Sequence, residues 1–251
     1  MKKLFNCAMN IGEQMLICGA EVHRVEDSLD RILRAMGAQR VDVFIITSSM
    51  VVTVHMPNGE VFTQTRRIKE TGTDFERLHE LNELSRKICR EKMSAEQIDT
   101  EMSQISASKK YPQWLISVCY SVIAGAFTLF FGGDEKAAGV SLFIGLVVSF
   151  VMLICDRMVN NRVFSKFMSS LVASFLAFAA LSLGIIHSID VVIIGNIMTL
   201  IPGLGLTNAL HDLLVGDSIA GLLRTVEACI TALAIAAGYF VLVFLTGGAA
   251  I

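Results

Sequence analysis

Eight polar or ionisable residues crowd one stretch of an otherwise apolar sequence, GNIMTLIPGLGLTNALHDLLVGDSIAGLLRTVEA. They are Asn196, Thr199, Asn208, His211, Asp212, Asp217, Arg224 and Glu227. At membrane depth such groups are costly, and they usually line a solute pathway or relay protons. Pro202, Gly203 and Gly205 in the same stretch predict a locally unwound helix at 202–205, whose freed amides and carbonyls can hold a solute. Asn196, Thr199, Asn208 and the 202–205 backbone are therefore candidate substrate contacts, with Arg224 to hold a carboxylate or pair with an acid. Asp212, Asp217 and Glu227 are candidates for handling charge or protons. The plainer alternatives are an interfacial loop for Asp212, Asp217 and Arg224, and an ion pair between Glu227 and Arg224 one turn earlier.

A second constellation lies near the start, where His23, Arg24, Glu26, Asp27 and Asp30 fall on neighbouring helical turns. His-x-x-Glu followed by Asp is compatible with a metal or hydrolase site. Arg24, Arg31 and Arg34 are close enough in sequence to pair with those acids, and a solvated, ion-paired face is the preferred reading. The sequence has no HExxH, GxGxxG, Walker A or nucleophile-elbow motif, so an ATP-driven pump or a dehydrogenase has no support. No catalytic residue, metal site or cofactor is expected.

These residues sit in two chemically different halves. Of 251 residues 53% are hydrophobic and only 18% charged, with a mean hydropathy of +0.61, and the charges concentrate before Lys110. This predicts a soluble domain at 1–108 followed by a bilayer-embedded domain at 109–251. A net charge of -2 and a pI near 6.2 give no reason to propose nucleic-acid binding. The six cysteines form no CxxC pair and read as small hydrophobes in a reducing compartment. Glu13 and Gln14 interrupt the first apolar stretch too early for a signal peptide.

In the soluble half, Leu4, Ala8, Ile11, Met15, Cys18, Val22, Val25, Leu29, Ile32 and Met36 are spaced alternately by four and three. That seam predicts one long helix ending near Gly37. Strands are expected at Val41–Ile46, Met50–Met56 and Val61–Ile68, with a tight turn at Pro57-Asn58-Gly59. Two helices follow, through Phe75–Ile88 and Ala95–Ile105, the second with Ser94 and Gln97 as a capping box. The domain is α+β.

In the membrane half, apolar stretches at Trp114–Phe131, Ala137–Ile154, Phe167–Ile186, Val191–Ile201 and Ala228–Leu245 predict about five spans. The fourth is too short before Pro202 and crosses only if it continues as a second half-helix through Leu206–Val215. Lys109, Lys110, Arg157, Arg162, Lys166 and Arg224 flank the spans on one side. By the excess of basic residues in cytoplasmic loops, the N-terminus is cytoplasmic and the C-terminus external. The fold class is an all-α transmembrane bundle of about five helices with an α+β N-terminal cytoplasmic domain. A five-span unit ending outside suggests one half of an inverted-repeat assembly.

The run Gly19-Ala20-Glu21-Val22-His23-Arg24-Val25-Glu26-Asp27 resembles a signature of the threonine/serine exporter family, with His23 where an aromatic residue is expected. The set Pro202-Gly203, Asn208-Ala209, Asp212-Leu213, Gly216-Asp217, Gly221 and Arg224 resembles that family's membrane motif. The resemblance implies a multi-pass protein of the bacterial inner membrane that exports threonine and serine by secondary transport, and the acidic residues of the membrane half lead us to expect coupling to protons. It also implies that Asp212, Asp217 and Arg224 matter. Ending after one membrane half resembles the shorter, split members, which work with a separate small membrane subunit; a homo-oligomer is the other way to complete the assembly. For some split pairs the implied cargo is a dicarboxylate such as succinate. Outside transport, the alternatives are a membrane-anchored hydrolase using His23 and Glu26, or a sensor built on the soluble domain.

Overall fold

A computed structural model describes residues 2–107, 111–159 and 161–247. The expected boundary at 108/109, the basic pair Lys109–Lys110 and the C-terminal residues 248–251 lie outside the described residues. In chain order the elements begin α1 (Lys2–Ile17), α2 (Val22–Ala35), β1 (Arg40–Ile46), β2 (Ser49–His55), β3 (Val61–Arg67), α3 (Phe75–Arg90) and α4 (Ala95–Ser106). They continue α5 (Gln113–Phe130), α6 (Glu135–Val159), α7 (Arg162–Ser182), α8 (Ile189–Ile197), α9 (Gly203–Val215) and α10 (Ser218–Leu245).

The chain divides into two units, and the division does not follow sequence order. Met1–Lys109 forms one unit together with Gly205–Thr225; Lys110–Leu204 and Val226–Ile251 form the other. Helices α9 and α10 therefore each belong to both.

In the first unit, the long helix expected over Leu4–Met36 is two helices, broken at Cys18–Glu21. Gly19 causes the break: its φ of +91° lies in the left-handed region, which an α-helix cannot use. The apolar seam survives the break. Ala8, Ile11, Met15, Val22, Val25, Leu29 and Ile32 are all fully buried in one core, because both helices turn the same stripe inward. Against them packs an antiparallel meander in the order β1-β2-β3, with Val43 opposite Val52 and Val54 opposite Phe62. Met50, Val52 and Val54 alternate into the core from β2. Gly59, at φ +84°, closes the turn before β3. Asp74 caps α3 by accepting from the Arg77 N–H at 3.0 Å, and the Ser94/Gln97 capping box starts α4 as the sequence predicts.

In the second unit, α5, α6 and α7 are long and apolar enough to cross a membrane, as is α10, most of which lies here. These four agree with four of the apolar stretches. The other stretch is divided between α8, of nine residues, and α9, of thirteen, and neither is long enough to cross a core of about 30 Å alone. The helices meet through small residues rather than interlocked large ones. A Cβ on Gly145 of α6 would stand 2.9 Å from the Ser121 Cα of α5, and one on Gly238 of α10 would stand 2.6 Å from the Phe167 carbonyl oxygen of α7. Hydroxyls join the same seams: Ser121 donates to the Leu142 carbonyl at 2.6 Å and Ser170 to the Ile235 carbonyl at 2.7 Å.

The break in the fourth stretch is displaced from its expected place. Residues 198–202 are non-helical, whereas Gly203 and Gly205 lie inside α9. Proline explains this: it lacks an N–H and is favoured at a helix start, where that donor is not needed, so Pro202 ends the turn and opens α9. Helix α10 begins ahead of the apolar stretch Ala228–Leu245, and Arg224 and Glu227 lie in its first turns, before that stretch.

Candidate functional site

The α1–α2 elbow frees four consecutive carbonyls that a continuous helix would have consumed. Ile17 O accepts from the Gly72 N–H at 2.7 Å, and Cys18 O from the Asp74 N–H at 3.1 Å. Gly19 O accepts from the Asn208 side-chain amide at 3.3 Å, and Ala20 O from the Arg224 guanidinium at 3.0 Å. The elbow is thus held from one side by the loop before α3 and from the other by α9 and α10.

The other half of the site follows from how α9 ends. Gly216 takes φ +107° and the Asp217 N–H returns to the Asp212 carbonyl at 2.9 Å, which turns the chain sharply into α10. The two helices then run close together: a Cβ on Gly221 would stand 2.7 Å from Leu213 and 2.9 Å from the Ala209 carbonyl oxygen. That approach brings Arg224 Nη1 to 3.1 Å from Asp212 Oδ2. Asp212 is fully buried and Arg224 is largely so. His211 Nδ1 lies 3.5 Å from Glu21 Oε2 on the more exposed side.

Glu26 lies one turn along α2, half-buried, with Oε1 accepting from the Ile45 N–H of β1 at 3.1 Å. Burial, and next the negative charge of Asp217, push its carboxyl up to about 7. An acid so placed changes charge near neutral pH. Asp217 itself has an oxygen that is buried without a hydrogen-bond partner.

The other predicted residues are placed differently. Asn196 is buried on α8, donating to Val192 O at 2.9 Å and leaving its own oxygen unpartnered, and Thr199 donates to Asn196 O at 2.7 Å. Asn196, Thr199, Pro202, Gly203 and Glu227 belong to the second unit; Gly205, Asn208, Asp212, Asp217 and Arg224 belong to the first. Glu227 is exposed, and its ion pair with Arg224 is absent among the described residues, because Arg224 is engaged by Asp212. His23, Arg24 and Asp27 are exposed. Asp27 pairs with Arg31 at 2.9 Å and Asp30 with Arg34 at 2.8 Å, the ion-paired face expected of them. No group of three or more His, Cys, Asp or Glu is placed to hold a metal ion among the described residues.

Sequence reasoning missed Glu21 and the elbow carbonyls. Gly19 was the available signal, since a glycine at the centre of an otherwise strict seam marks a break as readily as a packing site.

A chain with four helices long and apolar enough to cross a membrane, and a buried ion pair between α9 and α10 whose guanidinium also holds the Ala20 carbonyl, has the make-up of a membrane transporter. The chain belongs to the threonine/serine exporter family: the ThrE family model, described as "Putative threonine/serine exporter", matches residues 6–246. Two curated relatives carry the name "Probable succinate transporter subunit YjjP". The Klebsiella aerogenes protein is 24% identical over 222 residues, covering 88% of this chain and 85% of its own. The Escherichia coli K12 protein is 22% identical over 222 residues, covering 88% and 86%. No solved structure matches.

Proposed function

We propose that this chain is one subunit of a proton-coupled secondary exporter of a small dicarboxylate of the succinate type, completed by a second membrane subunit. The observation that carries the reading is the state of Arg224. Its two terminal nitrogens are engaged by Asp212 and by the Ala20 carbonyl, so its charge is already answered within the chain. The cargo's carboxylates then need cations from elsewhere, which is a physical reason for a second subunit. The relatives' printed names, with their words "succinate" and "subunit", support the same reading.

In this reading Asn196, Thr199 and the non-helical backbone at 198–202 contact cargo. Asp212, Asp217 and Glu227 handle charge, and α8 with α9 makes a broken crossing between α7 and α10. The protein sits in the bacterial inner membrane with its N-terminus cytoplasmic and its C-terminus external. Export of threonine and serine is the second reading, favoured by the family's description. Efflux of labelled succinate, threonine and serine from cells producing this chain, with and without the second subunit, separates the two. Efflux of succinate alone, dependent on the second subunit, is the expected result; efflux of the amino acids alone would replace the first reading by the second.

A further inference from the structure

Helices α2 and α3 of the first unit leave a solvent-facing groove of about 570 Å³ between them. Four guanidiniums line it, Arg24 and Arg31 from α2 and Arg86 and Arg90 from α3, against one carboxylate, that of Asp27. The spacing follows from helix geometry: positions 24, 27 and 31 share one face of α2, and 82, 86 and 90 share one face of α3.

The charges are unevenly answered. Asp27 takes Arg31 at 2.9 Å, and Glu83, from outside the groove, takes Arg86 at 2.9 Å. Arg24 and Arg90 form no ion pair among the described residues. The one hydrogen bond of the Arg90 side chain goes from Nε to the Arg86 carbonyl at 3.4 Å, so its terminal nitrogens remain available. Each wall thus contributes one unanswered guanidinium, and Asn82, its amide donating to the Leu78 carbonyl at 2.9 Å, lines the groove from α3. Two planar, forked donors on facing helices suit a ligand with two negative charges, each guanidinium holding two oxygens of a carboxylate or phosphate. Like charges held together without such a ligand repel, so occupancy also relieves a cost of the empty groove.

We propose that the α2–α3 groove is a binding site for a small soluble dianion, a dicarboxylate or a phosphate monoester, with Arg24 and Arg90 as its anchors. The site is separate from the Asp212–Arg224 joint and does not depend on the identity of the exported cargo. It gives the soluble portion of a transporter a means of sensing an anionic metabolite.

The test is calorimetric titration of the purified full-length protein in neutral detergent with succinate and, separately, inorganic phosphate. The expected result is saturable binding of at least one probe, weakened several-fold when sodium chloride is raised from about 50 to 300 mM. The double variant Arg24→Gln with Arg90→Gln should lose about tenfold or more in affinity, and Arg24→Lys with Arg90→Lys should recover part of it. The variant Arg40→Gln, on the sheet and paired with Asp42, should bind as wild type does. Arg24, Arg40 and Arg90 are all exposed, so each variant should keep the wild-type unfolding midpoint, and that is measured first. Absence of binding by either probe would overturn the proposal, as would equal affinity in the double-Gln variant. Binding confined to vesicles containing anionic lipid would also overturn it, assigning the groove to a lipid headgroup instead.

Discussion

Arg224 and Asp212, on two helices joined by a glycine turn, form an ion pair at 3.1 Å that is almost wholly out of solvent, and the same guanidinium reaches 204 residues back to the carbonyl of Ala20. One side chain therefore ties the two strings of sequence by which the chain resembles its family. Gly216, Gly221, Asn208 and Asp212 have a joint explanation: each turns, spaces or ties α9 and α10 so that they clasp the elbow at Gly19-Ala20.

Removing one partner of a buried pair leaves the other charge unanswered. Arg224→Gln should cost about 3 kcal/mol or more, and Asp212→Asn somewhat less, since the guanidinium it leaves is partly exposed and still donates to the Ala20 carbonyl. The double variant should cost less than the sum. Thermal unfolding in detergent across the double-mutant cycle measures the coupling, and additive losses would mean that the pair is not formed. Asp212→Asn should still insert in the membrane while losing export.

Gly19 is held at φ +91°, and a Cβ there would stand 2.5 Å from the Gly72 carbonyl oxygen. Gly19→Ala should therefore cost about 2–4 kcal/mol through combined strain and clash. Gly37 has a similar φ of +97° but nothing within 4 Å of its Cβ position, so Gly37→Ala should cost only about 1 kcal/mol. Unfolding midpoints of the two variants compare them directly. Equal losses would remove close packing of the elbow as the reason for the glycine.

Glu26 makes stability depend on pH. Its carboxyl is raised from 4.5 to about 7, so folding favours the protonated form. The stability it contributes is complete below pH 4.5 and is lost as pH rises through about 7. With the group half-exposed and screened by solvent, the change is on the order of 1 kcal/mol. Glu26→Gln should remove this slope and leave the protein more stable than wild type at about pH 8. Unfolding midpoints across pH 5 to 8, about the range in question, check it; an unchanged slope in the variant would assign the titration to another group.

Much of this fold could be read along the chain. The three strands, α3, the capping box of α4 and the four long apolar helices all follow from local periodicity and end signals, which depend on residues within a few positions of one another. The elbow did not, because its seam is continuous: Cys18 and Val22 keep the spacing of a helix on both sides of Gly19, and the break is specified by partners in the loop at 72–74 and in α9 and α10. The candidate site divides in the same way. The identities of Asp212, Asp217 and Arg224 stood out as charges among apolar residues, but the choice of Asp212 over Glu227 as the partner of Arg224 is tertiary. Spacing alone favoured the local pair, whereas the turn at Gly216 brings Asp212 closer.

The most direct measurement of the central claim is transport by purified components in sealed liposomes. Vesicles loaded with labelled succinate are prepared with this chain alone, with the second subunit alone and with both, and efflux is followed with and without an imposed pH gradient. The account predicts efflux only when both subunits are present, accelerated by a gradient that drives protons inward against the cargo. Equal efflux from vesicles holding this chain alone would contradict the two-subunit claim, and efflux indifferent to the gradient would contradict the coupling to protons.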